Sequence, residues 1–156
     1  GRLLGMTDDI IVPKLESYKG SWRRSEIVKM TKNGNILMSD YGHHPSEIRP
    51  TLKAIKEKYG DKKLFVVFQP HQYSRTRELL QEFVISFSDA DELIIPDIYF
   101  SRDKKEDVEW MTTEKLVTEI SKNQPKVQNG NGIENTAKLI AEYDEKHQNS
   151  SVILLL

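Results

Sequence analysis

Two adjacent histidines stand at the centre of a stretch whose residue types suit chemistry. The stretch SDYGHHP places Asp40, Tyr41, His43 and His44 close together in a chain of 156 residues that has four histidines. Adjacent residues on an extended chain point to opposite sides, and no second acidic or histidine cluster has the spacing of metal ligands. A contact with a nucleotide is therefore favoured over a metal site. The alternative is that one histidine bonds backbone groups at the start of a helix.

Asp40 follows a predicted strand, a position that allows two interpretations. A carboxylate beyond a strand end can accept both hydroxyl groups of a ribose. Aspartate also favours turns and helix starts, where its oxygens accept backbone N–H groups. The residues alone favour the turn role. Gly42 lets the backbone approach closely, since glycine has no side chain.

A second cluster lies in the stretch QPHQYSRTR, at the predicted start of a helix. His71, Tyr73, Arg75 and Arg77 fall within seven residues. Helix N-termini favour anions, and arginine binds carboxylate or phosphate through two parallel hydrogen bonds. The cluster therefore predicts an anion site, against the alternative of arginines that are solvated on a helix face.

Two further stretches carry weaker signals. The stretch SWRRSE pairs Arg23 with Arg24, and the alternative to an anion contact is that one of them covers Trp22. The stretch NGNG at 129–132 is typical of a flexible turn. No G-x-x-x-x-G-K-[ST] motif occurs, so the chain does not hold ATP phosphates with a P-loop.

Composition limits the classes of function. The chain is 37% apolar and 30% charged with a net charge of −1, which is typical of a globular protein without a broad attraction for nucleic acid or membranes. It has no cysteine, which excludes disulfides and favours a cytoplasmic protein. No apolar run is long enough to span a bilayer. The ends, GRLLGM and SVILLL, suggest a fragment of a longer polypeptide.

The elements that must position these residues alternate along the chain. The residues at 32–34 predict a hairpin turn between strands at 27–30 and 36–41. A helix with apolar residues spaced from Ile48 to Tyr59 follows, and either Pro45 or Pro50 is its first residue. The other predicted elements are strands at 64–69, 92–99, 126–128 and 151–156, and helices capped by Thr7 or Asp8, opened by Ser74, capped by Thr112 or Thr113, and running through Ala137.

This alternation predicts an open, mostly parallel α/β sheet with helices on both faces and an N-terminal β-hairpin. Ligands of such sheets bind beyond the carboxyl ends of the strands. The stretches SDYGHHP, QPHQYSRTR and PDIYFSRDK all follow predicted strands. Fold and residue chemistry therefore indicate the same edge of the sheet.

Three stretches carry a resemblance to a known family. SDYGHHPSEI, VVFQPHQYSRTR and DIYFSRDK, in this order, resemble the C-terminal domain of the bacterial Mur ligases, over nearly the whole chain. The best match in that family is the member that joins L-alanine to UDP-N-acetylmuramate. The runner-up is the member that ligates murein peptides, which shares the segment with the paired histidines but lacks the Phe-Gln-Pro-His and Thr-Arg pattern.

The resemblance implies a Rossmann-like C-terminal domain at 21–156, truncated at its C-terminus, with residues 1–20 as the tail of a central ATPase domain. It implies that the parent protein uses ATP and Mg²⁺ to turn the carboxylate of UDP-N-acetylmuramate into an acyl phosphate. L-alanine then attacks this group, a step of peptidoglycan precursor synthesis. The P-loop and the magnesium ligands would lie in the missing N-terminal and central domains, so the fragment alone would be inactive.

The resemblance also implies the nucleotide contacts. Arg24 would reach the ATP phosphates, and Asp40 would hold the ribose, which reverses the preference for its turn role. Tyr41, His43 and His44 would line the nucleotide side of the cleft.

For the amino acid, the resemblance implies that His71, Tyr73 and Arg75 form the substrate side of the site, where His71 and Arg75 receive the alanine carboxylate. This agrees with the anion site that the residues predict by themselves. A non-catalytic α/β nucleotide-binding module is the other hypothesis that accounts for these side chains, and a G-K-[ST] loop upstream would favour the ligase.

Two positions depart from the family pattern. Ser25 stands where phenylalanine is common, which loosens the choice of Arg24 over Arg23. Gln72 stands where arginine is common, and because an amide carries no charge, carboxylate binding would depend more on Arg75.

Overall fold

The computed structural model describes residues 1–18, 20–124 and 126–156, and a six-stranded sheet forms its centre. Its strands are β1 (Glu26–Met30), β2 (Ile36–Ser39), β3 (Lys63–Val67), β4 (Glu92–Ile95), β5 (Val127–Asn129) and β6 (Ser151–Leu155). The spatial order is β1-β2-β6-β3-β4-β5. Only the β1–β2 pair in this sheet is antiparallel, and the other four pairs are parallel. The predicted hairpin and the predicted mostly parallel sheet are confirmed.

Helices connect the strands after the hairpin. They are α1 (Asp8–Glu16), α2 (Pro45–Lys58), α3 (Tyr73–Glu78), α4 (Leu80–Val84), α5 (Lys105–Trp110), α6 (Thr113–Ser121) and α7 (Ile133–Lys146), with a 3₁₀ turn at Arg2–Leu4. Helix α1 contains no buried residue. None of the helices in the described ranges has the length and apolar character needed to cross a membrane.

The two faces of the sheet bury alternate residues of each strand, as the two-residue period of a strand requires. In β3, Leu64 and Val66 join the larger core, into which α2, α4 and α6 also pack. Phe65 and Val67 join the smaller core, which is covered by α7 through Tyr143 and its apolar neighbours. Burial of each such side chain contributes about 1.5–3 kcal/mol. The prediction of helices on both faces is confirmed.

A buried polar network ties the hairpin turn to α7. Asp144 on α7 accepts hydrogen bonds from Thr31 Oγ1 at 2.6 Å, Asn35 Nδ2 at 2.7 Å and Asn33 Nδ2 at 2.7 Å. Burial raises the pKa of Asp144, but these hydrogen bonds outweigh burial and hold the pKa below its usual value. The Asn35 Oδ1 atom accepts the N–H groups of residues 150 and 151, so the same network reaches β6.

Several predicted boundaries change in the structure. Helix α2 begins at Pro45, so the choice between the two prolines is resolved, and Pro50 lies inside the helix. The helix predicted from Ser74 is divided at Leu79, whose φ and ψ of −99° and 16° leave the helical region. Strand β4 ends at Ile95 because the following proline has no N–H to extend the ladder. Helix α5 was not predicted.

Candidate functional site

A cavity of about 270 Å³ opens at the carboxyl ends of the parallel strands. Its lining comes from the segment after β2, the segment after β3, the loop before β1 and the last residue of the chain. The lining residues are Arg23, Tyr41, Gly42, His43, Gln69, His71, Arg75 and Leu156. Two of the three stretches that the sequence placed at one edge therefore meet around one cavity.

Asp40 is buried beneath this cavity, with 5% of its surface exposed. Its Oδ1 atom accepts the N–H of Gly42 at 2.7 Å, and its Oδ2 atom accepts the N–H of Ser25 at 2.7 Å. This is the turn geometry that the residues alone favoured. Each carboxylate oxygen retains a second lone pair, so the ribose contact stays a prediction.

Gly42 lies where a side chain would crowd the turn. A Cβ atom built on Gly42 would stand 3.0 Å from Asp40 Oδ1 and 3.7 Å from Leu156 Cδ2. A neighbour would then have to shift, and the nearest one is the carboxylate that accepts the Gly42 N–H. Glycine here allows the close backbone approach that the sequence predicted.

The paired arginines occupy different places. The guanidinium carbon of Arg23 lies 4.9 Å from the ring centre of Tyr41 and 5.6 Å from that of Trp22. The same atom of Arg24 lies 5.8 Å from the ring of Tyr41. Arg23 lines the cavity and Arg24 does not, within the described part of the chain. The alternative raised from the sequence, that one arginine covers Trp22, is met only by this cation–π contact, since Trp22 remains 80% exposed.

The loop that carries Arg23 is held in an uncommon conformation. Arg23 and Ser25 have φ values of 52° and 45°, in the left-handed region that non-glycine residues seldom occupy. The Arg23 N–H donates to Glu26 Oε2 at 2.8 Å, and Asp40 holds the N–H of Ser25. These carboxylates fix the loop that directs Arg23 to the cavity.

The two adjacent histidines have separate roles, because their rings point to different sides. His43 lines the cavity, and its Nδ1 lies 3.0 Å from the carbonyl oxygen of Tyr41. His44 is the N-cap of α2, where its Nδ1 accepts the N–H of Ser46 at 3.2 Å. His44 is therefore the histidine that bonds the start of a helix, as the alternative from the sequence had it. A contact between His44 and a nucleotide stays a prediction.

Glu47 completes the start of α2. Its Oε2 atom accepts the N–H of His43 at 3.1 Å and that of His44 at 3.2 Å. The hydrogen bond from His43, with a weaker one from His44, outweighs burial and lowers the pKa of Glu47. An ionised Glu47 therefore keeps both histidine backbones in place.

His71, in the segment after β3, also lines the cavity. Its ring stacks on that of Tyr99, with ring centres 4.8 Å apart and an angle of 24° between the planes. The backbones of the two residues form an isolated parallel bridge. The next residue, Gln72, has a φ of 76° and donates its N–H to the Tyr99 carbonyl at 3.0 Å. Tyr99, in the stretch DIYFSRDK, thus holds the backbone and the ring of His71 in the stretch QPHQYSRTR.

The N-terminus of α3 already holds an anion from the chain itself. Asp103 Oδ1 accepts the N–H of Ser74 at 2.9 Å and its hydroxyl at 3.1 Å, and Oδ2 accepts the N–H of Ser101 at 3.2 Å. Burial raises the pKa of Asp103, but these hydrogen bonds outweigh it and lower the pKa. The expectation that this helix start would itself receive an external anion is therefore corrected. Binding would fall to side chains.

The arginines of α3 diverge. Arg75 lines the cavity. Arg77 binds Asp107 at 3.1 Å and places its guanidinium carbon 4.9 Å from the ring centre of Trp110. Arg77 therefore joins α3 to α5. It does not belong to the anion site that the sequence predicted from His71, Tyr73, Arg75 and Arg77.

Tyr73 packs against the larger core. Burial raises the pKa of its hydroxyl, and the carboxylates of Asp97, Asp103 and Glu114 raise it further. The hydroxyl therefore stays protonated at neutral pH and can donate a hydrogen bond. Tyr73 is not one of the side chains that line the cavity in the described part of the chain.

The charges of the lining favour anionic ligands. In the described ranges, the salt bridges of arginine belong to Arg2 and Arg77, so the guanidinium groups of Arg23 and Arg75 keep their donors for a ligand. Within the same ranges, no group of three or more histidine and acidic side chains is arranged to hold a metal ion.

Sequence reasoning missed three contributors to the site. Gln69 lines the cavity from the quoted stretch QPHQYSRTR, but a glutamine between a strand and a proline gives no chemical signal. Leu156 lines it because β6 ends at the same edge as β2 and β3. The cap formed by Asp103 depends on a contact between residues 29 positions apart, which no local pattern reports.

Comparison with known proteins first identifies the class. The profile of the family described as Mur ligase, glutamate ligase domain, matches residues 23–156. This match covers most of the chain, so the chain belongs to the Mur ligase family, and the resemblance carried by the three stretches is confirmed.

Individual relatives are then more specific. The UDP-N-acetylmuramate–L-alanine ligase of Clostridium acetobutylicum is 43% identical over 145 residues, which are 93% of this chain and 30% of the relative. The ligase of the same name from Endomicrobium trichonymphae is 37% identical over 138 residues, 88% of this chain and 30% of the relative. The chain thus spans about 30% of the length of these curated relatives.

A solved structure shares the fold. The crystal structure of UDP-N-acetylmuramate-alanine ligase from Thermotoga maritima superposes with a TM-score of 0.75 at 21% identity, and the match covers 99% of this chain and 30% of that one. At this identity the likeness supports the architecture alone, and it confirms the predicted fold class.

Proposed function

We propose that the chain is the C-terminal domain of an ATP-dependent ligase that joins L-alanine to UDP-N-acetylmuramate in peptidoglycan precursor synthesis. The observation that carries the proposal is the cavity at the strand ends, where Arg23, Tyr41 and His43 face His71 and Arg75. The names of the two relatives above support the choice of substrates. The runner-up, a murein-peptide ligase, is not favoured, because both relatives carry the name of the L-alanine ligase.

We further propose the domain division drawn from the sequence. Residues 21–156 would form the C-terminal domain, and residues 1–20 would belong to a neighbouring ATPase domain. Two observations support this division: the family match begins at residue 23, and α1 buries none of its residues.

The residues fit the carboxylate of an amino acid. His71 is held by the ring and backbone of Tyr99, and Arg75 keeps a guanidinium that can bind a carboxylate through two hydrogen bonds. In the proposed reaction the amine of L-alanine attacks an acyl phosphate, an amide bond forms and phosphate leaves. Binding the carboxylate orients the amine for that attack. Tyr73 would support this side.

The nucleotide side is proposed for the segment after β2. Tyr41 and His43 would contact the nucleotide, Asp40 would accept ribose hydroxyls, and His44 would act through the start of α2. Arg24 would contact the ATP phosphates, and we extend this proposed contact to Arg23 because Arg23 lines the cavity. ATP would supply the phosphoryl group, and Mg²⁺ would be held by domains outside this chain.

Phosphate release by the full-length protein tests the proposal. Release should require ATP, Mg²⁺, UDP-N-acetylmuramate and L-alanine together. Arg75→Ala should raise the KM for L-alanine about ten- to a hundredfold, since charged hydrogen bonds contribute about 1.5–3 kcal/mol each.

Arg77→Ala is the matched control, because Arg77 lies on the same helix but binds Asp107. It should leave that KM unchanged. Release that needs a preformed peptide would establish the murein-peptide ligase instead, and no release with any acceptor would favour the non-catalytic module.

A further inference from the structure

Among the described residues that line the cavity, Gln69 alone carries a side-chain amide. It follows β3, and its backbone N–H donates to the carbonyl of Leu156 at 3.2 Å. Its side-chain Nε2 donates to Asp97 Oδ1 at 2.7 Å. Asp97 comes from the segment after β4, so two neighbouring strand ends fix this side chain.

The bond to Asp97 decides what Gln69 can offer a ligand. A carboxylate accepts hydrogen bonds and does not donate them when ionised. Asp97 therefore faces the NH₂ end of the amide, and the Oε1 end is left for another partner. Arg23 and Arg75 can only donate, so Gln69 Oε1 is an acceptor that this side chain can offer beside cationic donors.

We propose that Gln69 Oε1 accepts an N–H of the amino group of the incoming amino acid, and that Asp97 is a positioning residue that keeps this oxygen turned toward the cavity. This inference rests on the proposed function. An α-amino acid carries its carboxylate and its amine on the same carbon, so a site for it needs donors beside an acceptor. His71 and Arg75 supply the donors, and the adjacent Gln69 supplies the acceptor.

The pairing also assigns separate parts of the substrate to separate side chains. Propionate has the methyl and carboxylate groups of alanine but lacks the amine. It should therefore use Arg75 and ignore Gln69, whereas L-alanine should use both.

Substitution in the full-length protein tests the inference. Gln69→Met removes both polar ends of the amide at nearly constant length. It should raise the KM for L-alanine about ten- to a hundredfold and leave inhibition by propionate, competitive with L-alanine, unchanged. Arg75→Ala should weaken L-alanine and propionate together. Gln81→Met, at an exposed position of α4, is the matched control and should change neither.

Asp97 provides the second arm, which decides the matter if Gln69→Met does not fold. Asp97→Leu frees the amide and should raise the KM for L-alanine with inhibition by propionate unchanged. Asp97→Asn keeps an acceptor oxygen and should restore the KM of the unmodified protein. A merely structural role would reduce kcat and the binding of both compounds together.

Two results are distinguishable as failures. If the unmodified protein shows no phosphate release that depends on L-alanine, the proposed function fails and this inference fails with it. If release is normal but the Gln69 and Asp97 variants keep the KM for L-alanine, or weaken propionate equally, the inference alone is overturned.

Discussion

The carboxylate of Asp103 caps α3, and its removal should loosen the helix that carries Arg75. In Asp103→Ala, the N–H and hydroxyl of Ser74 and the N–H of Ser101 lose their acceptor. Water can reach these partly buried groups, so the cost stays within the range for loss of a cap, about 1–2 kcal/mol. For a domain of this size each kcal/mol lowers the Tm by about 2–4 °C, and we expect a fall of about 2–8 °C.

The pH dependence of this deficit gives a second, independent test. The pKa of Asp103 is lower in the folded chain than its ordinary value, so its contribution to stability is present above about pH 4, the unfolded value. It is lost as the pH falls through the lower folded value. The difference in Tm between the unmodified chain and Asp103→Ala should therefore be largest near neutral pH and shrink below about pH 4.

Thermal unfolding of the chain followed by circular dichroism from pH 7 to pH 3 measures both effects. Asp103→Asn keeps an acceptor oxygen and should lose less stability than Asp103→Ala. Asp61→Ala, at an exposed position, controls for loss of an acidic side chain. Equal Tm values for Asp103→Ala and the unmodified chain at pH 7, or a deficit as large at pH 3 as at pH 7, would refute the reasoning.

Two further predictions concern α7 and α3. Asp144→Ala removes a buried acceptor of three hydrogen bonds, and urea denaturation should show a loss of about 1–3 kcal/mol. That loss should shrink below about pH 4, because the pKa of Asp144 is lowered in the folded state; a midpoint equal to that of Asp61→Ala would contradict it. Arg77→Ala should lower the free energy of unfolding by about 0.5–1 kcal/mol, through loss of its partners Asp107 and Trp110. No change in stability would show that this contact does not stabilise the domain.

Elements with strong local patterns were predicted well. The Asn-Gly turn located the hairpin, and the continuous apolar run at 64–69 located β3, which is buried on both faces. Helix α5 was missed because none of its residues is buried, so it carries no apolar periodicity. The division of the helix at Leu79 was missed because leucine favours helices and gives no sign of a break.

The site was predicted in part, for a related reason. Parallel strands bring their carboxyl ends to one edge, so the meeting of His43 with His71 and Arg75 follows from the fold class. Arg23, and not Arg24, lines the described cavity because Arg23 and Ser25 have positive φ values. Arginine and serine seldom adopt such values, so the sequence gives no sign of them. The contact of Arg77 with Asp107 on α5 could not be predicted, because α5 itself was not predicted.

The central position of β6 has a consequence for synthesis of the chain. Ser151–Leu155 comes after the other five described strands in sequence, yet it pairs with β2 on one side and β3 on the other. Until it emerges from the ribosome, β2 and β3 both expose unpaired strand edges, which are templates for aggregation. Contacts between distant residues such as Ile36 and Val152 also slow folding. The six described strands therefore cannot form one sheet until Ser151–Leu155 has been made, and a nascent chain that stalls before Ser151 would depend on chaperones to keep its incomplete sheet apart from other chains.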